Sequence, residues 1–323
     1  MKGIRALTDE NNYPIELTPP DISAYAKGNT GVEYATSFDS GKAGPHVCVS
    51  ALVHGNELCG AIAADWLMRE GVRPQQGKLS FLFCNIGAYL SFDPKNPQAS
   101  RFVDEDFNRL WNEETLDGPR RSAELTRARA IRPFIDTIDL LLDIHSMQHA
   151  TPPLMLCGPL DKGKQFARDV SVPEFVVADA GHAAGKRLRD YAGFGDPASP
   201  RNALLVECGQ HWEKKSEAVA KETALRFLLA TGAVSRDWIE PRLAPKPVPQ
   251  KIVEVTQAVT IRGDDFAFAH PYIGLETIPK AGTLLATDGG EKVLTPYDNC
   301  VLIMPSKRLG KGQTAVRLGR YVG

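Results

Sequence analysis

Three apolar runs in this chain end on ionisable side chains, and that pattern constrains the fold more tightly than any other feature. Residues 46–53 lead into His54-Gly55-Asn56-Glu57, residues 140–142 into Asp143-Ile144-His145, and residues 204–206 into Glu207. Short continuous apolar runs suit central strands buried on both faces. A charged residue at the end of such a strand sits on the rim of the sheet, and in open α/β sheets ligands bind outside the carboxyl ends of the strands. The fold that hides these runs therefore gathers the ionisable residues at one place.

The segment from 31 to 232 alternates strand-like and helical patterns throughout, which reads as an α/β fold, a sheet flanked by helices. Strands are expected at 32–36, 46–53, 79–85, 140–145, 154–156, 175–177 and 203–207, and helices at 56–70, 121–138 and 214–229. In the first helix Leu58, Ile62 and Trp66 recur at four-residue steps and share one face. Between 239 and 251 four prolines fall within 13 residues, too stiff and too poor in donors for a core element. We place a domain boundary there, with residues 1–240 as the main domain and 245–323 as a small β-rich one whose short runs are punctuated by Gly, Pro and Asp.

Composition narrows the partners. With 38 basic and 39 acidic residues and no basic stripe, nucleic acid is not expected. The polar N-terminus, MKGIRALTDENNYPIELTPPD, has neither a signal-peptide core nor a membrane span, so a cytoplasmic protein without membrane contact is expected. Cysteines 48, 59, 84, 157, 208 and 300 stand singly and read as reduced thiols.

The chemistry lies in four segments. His54 and Glu57 offer an imidazole nitrogen and a carboxylate oxygen at one strand-to-helix corner, both suited to zinc, and Gly55 lets the chain turn between them. The plainer alternative is an acidic residue favoured by a helix dipole. His145 ends another strand and offers a third ligand, with His149 as its rival. Asp143, two residues earlier on the same face, is placed to hold a ligand imidazole. Glu207 puts a carboxylate at a third strand end, where it would exchange protons with a water and a leaving group, or simply pair with an arginine. In the irregular stretch 101–111, Arg101 would face a developing oxyanion while Asn108 and Arg109 clamp a carboxylate. A nucleophilic pairing of Cys208 with His211 is a competing reading, although no electropositive surround for a thiolate is evident.

Taken together, the segments HGNE, RFVDEDFNR, DIH and VECG resemble the succinylglutamate desuccinylase and aspartoacylase family, a branch of the zinc carboxypeptidase superfamily, over roughly residues 44–232. The resemblance implies a zinc-carboxypeptidase-like mixed sheet, with a capping domain formed by the β-rich tail. It also implies one zinc per chain held by His54, Glu57 and His145, with Glu207 as general base and acid. Arg101 would polarise the scissile carbonyl, and Asn108 and Arg109 would bind the amino-acid carboxylate. A further basic residue and a capping-domain tyrosine bind substrate in such enzymes, and Arg201 and Tyr297 are the nearest candidates. The expected function is zinc-dependent removal of an acyl group from a small N-acylated amino acid or related amine. The rivals are a metallocarboxypeptidase acting on small peptides and an inactive binding module on the same scaffold. Substrate identity and a homo-oligomeric state stay open.

Overall fold

A computed structural model describes residues 13–322, with 182, 183, 246 and 308 left aside. Residues 1–12, and with them much of the polar N-terminus read above, lie outside the described residues. The strands before the proline stretch are β1 Ala35–Asp39, β2 His46–Ala51, β3 Lys78–Phe83, β4 Leu140–Met147, β5 Leu154–Leu156, β6 Phe175–Ala178 and β7 Asn202–Gln210. Those after it are β8 Lys251–Thr260, β9 Ala267–Phe268, β10 Thr277–Ile278, β11 Leu284–Asp288, β12 Glu291–Leu294, β13 Cys300–Ile303 and β14 Thr314–Val322. The helices are α1 Leu58–Arg69, α2 Ile86–Leu90, α3 Glu113–Asp117, α4 Ala123–Ile135, α5 Asp161–Val170, α6 Lys214–Ala230 and α7 Arg236–Ile239.

Among the described residues one mixed sheet of 11 strands runs in the order β1-β3-β2-β4-β7-β5-β6-β8-β14-β13-β10. Its centre, β3-β2-β4-β7, is parallel. Alternate residues of these strands enter opposite apolar layers, as the two-residue period of a strand requires. Val47, Val49, Leu142 and Ile144 pack on one side with α1 and α6, while Cys48, Leu82 and Leu141 face α4 and the rings of Phe107 and Trp111 on the other. Both faces are covered, which is why these segments read as unbroken apolar runs.

The first expected strand lies three residues later than its pattern suggested. Tyr34 sits at φ 58°, so residues 32–34 form the turn that precedes β1. Helix α5 has no counterpart among the expected helices. Its Gly163, Phe166, Ala167 and Val170 make a narrow buried stripe at helical spacing within an otherwise polar segment. The proline stretch leads from α7 to β8, and β8 then re-enters the main sheet by pairing in parallel with β6. Beyond it the chain is β-rich, extending that sheet and forming a three-stranded sheet, β12-β11-β9.

Candidate active site

The register of the central strands assembles the site. His145 on β4 and Glu207 on β7 are paired residues of adjacent parallel strands, so the third expected ligand and the expected proton carrier stand side by side. His54 lies just past the end of β2, and Glu57 immediately precedes α1. The corner depends on Gly55 for close approach rather than for an unusual turn. A Cβ there would meet Ala88 C at 2.3 Å and Ser100 O at 2.5 Å. The Gly55 amide also donates to Arg101 O at 3.1 Å, which ties the loop carrying Arg101 to the corner.

His54, Glu57 and His145 are buried and present one ligand atom each within 4.8 Å of one another. His54 Nδ1 is 2.7 Å from Glu57 Oε1, and His145 Nδ1 is 2.9 Å from Glu57 Oε2. Each far nitrogen faces an aspartate: His145 Nε2 lies 2.8 Å from Asp143 Oδ2, and His54 Nε2 lies 2.9 Å from Asp106 Oδ1, with Arg101 Nη2 also 2.9 Å from His54 Nε2. When each Nε2–H donates to its aspartate, both Nδ1 lone pairs are left for a cation, the arrangement that metal-binding histidines adopt. Two imidazoles and a carboxylate, all buried and convergent, fit a divalent metal of the zinc type.

The charges here are strongly biased. Burial opposes ionisation of Glu57, but His54 and His145 outweigh it and hold its carboxyl well below the usual range. Burial likewise disfavours His145 as a cation, and Asp143 and Glu57 more than reverse that. Glu207 behaves oppositely: burial and the nearby Glu57 charge push its carboxyl up to about 8. Its Oε2 is buried and has no hydrogen-bond partner among the described residues. A carboxyl so poised beside a metal-capable group can take up and release a proton near neutral pH.

Arg101, Asn108 and Arg109 occupy a loop organised by Glu124, in the first turn of α4. This fully buried carboxylate accepts from the amides of Val103 (2.7 Å), Asp104 (3.0 Å) and Glu105 (3.2 Å), and from Asn85 Nδ2 (3.0 Å). Charge-assisted bonds of this kind contribute about 1.5–3 kcal/mol each. Arg101 donates to Asp106 Oδ2 at 3.1 Å and lies 3.4 Å from Glu57 Oε1. Asn108 Oδ1 accepts from Leu188 N, and Arg109 Nη1 donates to Asn108 O. Asp106 and Glu124 escaped the sequence reading because acidic residues in a polar loop and in a first helical turn are ordinary; the one available signal for Asp106 was its place inside the RFVDEDFNR segment.

A cavity of about 490 Å³ brings His54, Glu57, His145, Glu207, Arg101, Asn108 and Arg109 together, within the size range of small-molecule sites. Another part of its lining comes from Asp179 and Arg187, from residues 304–307 and 312–313, and from Thr314 and Arg317 on β14. His149 lines the cavity too but stands outside the metal-capable group.

Two expected substrate residues are placed elsewhere. Arg201 donates to Ile138 O (2.7 Å) and Ile135 O (2.8 Å) and lies over the Phe194 ring, bracing the start of β7. Tyr297 shares a hydrogen bond with Thr256 and lies under the Arg320 guanidinium. Neither lines the cavity, and Arg187 and Arg317, which do, were hidden because sequence nearness to Glu207 is a poor guide across a crossover connection. Cys208 is fully buried with its thiol pushed well up, first by burial, while His211 Nδ1 is 2.8 Å from Ser146 Oγ, so this pair makes no thiolate nucleophile.

Comparison with known proteins agrees with this geometry. The model of the succinylglutamate desuccinylase/aspartoacylase catalytic domain matches residues 43–211. A succinylglutamate desuccinylase of Shewanella woodyi is 23% identical over 299 residues, covering 84% of this chain and 81% of its own. The crystal structure of succinylglutamate desuccinylase from Vibrio cholerae superposes with TM-score 0.66 at 16% identity, covering 90% of this chain and 86% of that one. The product-bound ectoine utilization protein of Ruegeria pomeroyi superposes with TM-score 0.58 at 17% identity, covering 88% of each chain. At such identities the structural likeness speaks for the fold, and the matched domain carries the rest: this chain belongs to the succinylglutamate desuccinylase/aspartoacylase family of hydrolases.

Proposed function

We propose that this protein is a zinc-dependent amidohydrolase that releases the acyl group from a small N-acylated amino acid or a related amine. The observation that carries the reading is the pairing of Glu207, a buried carboxyl raised to about 8, with His145 of the three-residue metal-capable group. Relatives named as succinylglutamate desuccinylases support the substrate class. One zinc held by His54, Glu57 and His145 would polarise the acyl carbonyl and lower the pKa of water to roughly 7. Glu207 takes the proton of the attacking water and delivers it to the departing amine. Arg101, beside the ligands, faces the oxygen on which negative charge develops. Asn108 and Arg109 hold the amino-acid carboxylate, with Asp143 and Asp106 fixing the two imidazoles. We read residues 1–240 as the catalytic domain and 245–323 as a cap, since residues 304–307 and 312–314 line the cavity. Six free, buried cysteines are in keeping with a cytoplasmic setting.

The test is metal analysis of the purified protein together with a turnover screen of N-acetyl, N-succinyl and N-formyl amino acids, with His54→Ala as control. Stoichiometric zinc and metal-dependent release of one amino acid are expected. Absence of metal, unchanged in His54→Ala, would overturn the reading.

A further inference from the structure

A second cavity, of about 140 Å³, lies between the opening of α5 and the crossover that leads to β7, and it shares no lining residue with the larger one. Among the described residues three cations, Lys162, Lys186 and Arg189, and one carboxylate, Asp190, line it. Arg189 is 2% exposed, and its buried Nε has no hydrogen-bond partner among the described residues. Its other nitrogens are engaged: Nη1 donates to Asp190 Oδ1 at 2.6 Å, and Nη2 to Cys157 O at 3.0 Å and Ala203 O at 2.8 Å. Burial outweighs Asp190 and lowers this guanidinium from its usual value. A buried charged donor left open in this way is costly unless an acceptor comes to it. Asp190 offers little opposition to an anion, since Arg189 holds one of its oxygens and Arg187 Nε the other, at 2.7 Å.

The first turn of α5 supplies the matching feature. Leu160 at its N-cap offers no side-chain acceptor, so the amides of Asp161 and Lys162 stand uncapped at the positive end of a 10-residue helix. Two glycines bring this turn and the guanidinium together. A Cβ at Gly158 would lie 2.1 Å from Arg189 Nη1, and one at Gly163 would lie 2.0 Å from Cys157 O, the oxygen that accepts from Arg189. Lys162 adds charge but no open donor, because the carbonyls of Gly193, Asp196, Ser199 and Arg201 surround its ammonium.

We propose that this pocket is a binding site for a small phosphate-type oxyanion, held by Arg189 Nε, the first amides of α5 and the exposed Lys186 ammonium. The sequence carries a related signal. Between β5 and α5, Gly158 to Lys164 reads GPLDKGK, the Gly-x-x-x-x-Gly-Lys spacing of phosphate-binding loops. Its departures define the ligand. Gln165 stands where a nucleotide-binding loop needs a hydroxyl for magnesium, Lys164 is paired with Glu254, and α5 already begins at Asp161. The space of about 140 Å³ has room for about four to five waters at roughly 30 Å³ each, so one phosphoryl group fits and a nucleotide does not. This site does not rest on the hydrolase reading.

The experiment is calorimetric titration of the full chain with inorganic phosphate, and in parallel with glycerol 3-phosphate, for wild type, Arg189→Gln and Lys186→Glu. Wild type should bind phosphate at millimolar concentration or below, and phosphate should raise its Tm. Lys186→Glu, at an exposed position, should weaken binding by at least about 10-fold, the scale of one charge-assisted bond, and Arg189→Gln should abolish it. If Arg189→Gln does not fold, Lys186→Glu decides, because unchanged affinity there counts against the site. Unchanged affinity in both variants would place the anion in the catalytic cavity and overturn the proposal, as would absence of binding to wild type. Displacement of phosphate by an equal concentration of chloride would reduce the site to unspecific charge and overturn it too. Glycerol 3-phosphate tells free from esterified phosphate: the tighter ligand identifies the natural occupant, and either order supports the site when the variants lose it.

Discussion

The two walls of the cavity are built in opposite ways. On the wall formed by the metal-capable group, His54, Glu57, His145 and Asp143 lie at strand ends or within one turn of them, and their partners are two or three residues away or on a neighbouring strand, save Asp106 and Arg101, which reach His54 and Glu57 from the 101–111 loop. On the other wall, Asp179, Arg187 and Arg317 come from a post-strand loop, a crossover segment and the last strand. The first wall is rigid because central parallel strands, buried on both faces, fix its spacing. The second depends on long-range closure of the sheet through β8 and β14. On the function proposed above, bond cleavage would fall to the rigid wall.

Perturbing the rigid wall should cost turnover rather than selectivity. Glu207→Gln is expected to lower kcat by at least about 10²-fold while zinc stays bound, and near-normal turnover would remove Glu207 from its role. The same variant reports on the buried carboxyl itself. Because the folded value, about 8, lies above the ordinary one, the fold favours the protonated acid. That stability is present at low pH and is lost as pH rises through the folded value. In metal-stripped protein, the Tm of wild type should therefore fall relative to Glu207→Gln between roughly pH 5 and 8. Parallel Tm curves would show that Glu207 is not held protonated.

A smaller effect is expected at Asp106, which shares His54 Nε2. Asp106→Asn should weaken metal affinity by about 10- to 100-fold, read by competition with a chelator, and unchanged affinity would break the symmetry drawn between Asp106 and Asp143. The smallest effect is expected at Arg201, which belongs to neither wall. Arg201→Ala should lower Tm through its lost carbonyl bonds yet leave kcat/KM within about two-fold, the range of a substitution remote from the chemistry. A large kcat/KM loss without a change in Tm would return Arg201 to the site.

What the sequence made readable follows the same division. Apolar runs located the central strands to within a few residues, and the ionisable residues at their ends come together in one metal-capable group, because both signals are local. Asp143 was found through the i, i+2 rule of a strand. Glu124 was not found, since nothing in a first-turn glutamate announces that three loop amides converge on it. The other wall was misplaced for a related reason. Arg201 is the basic residue nearest Glu207 in the chain and Tyr297 an aromatic residue of the right region, yet the cavity takes Arg187 and Arg317, whose positions depend on strand order and on the crossover through β5 and β6.

The parallel pairing of β8 with β6 has a consequence for engineering. Residues 175–178 gain one of their two neighbours only when the chain returns at 251–254. A protein cut at the proline stretch would present that bare edge to other copies, and exposed edges recruit strands from neighbouring chains. An exchange of C-terminal regions between relatives, made to transplant their choice of substrate, should therefore carry β8 along with the segments that line the cavity.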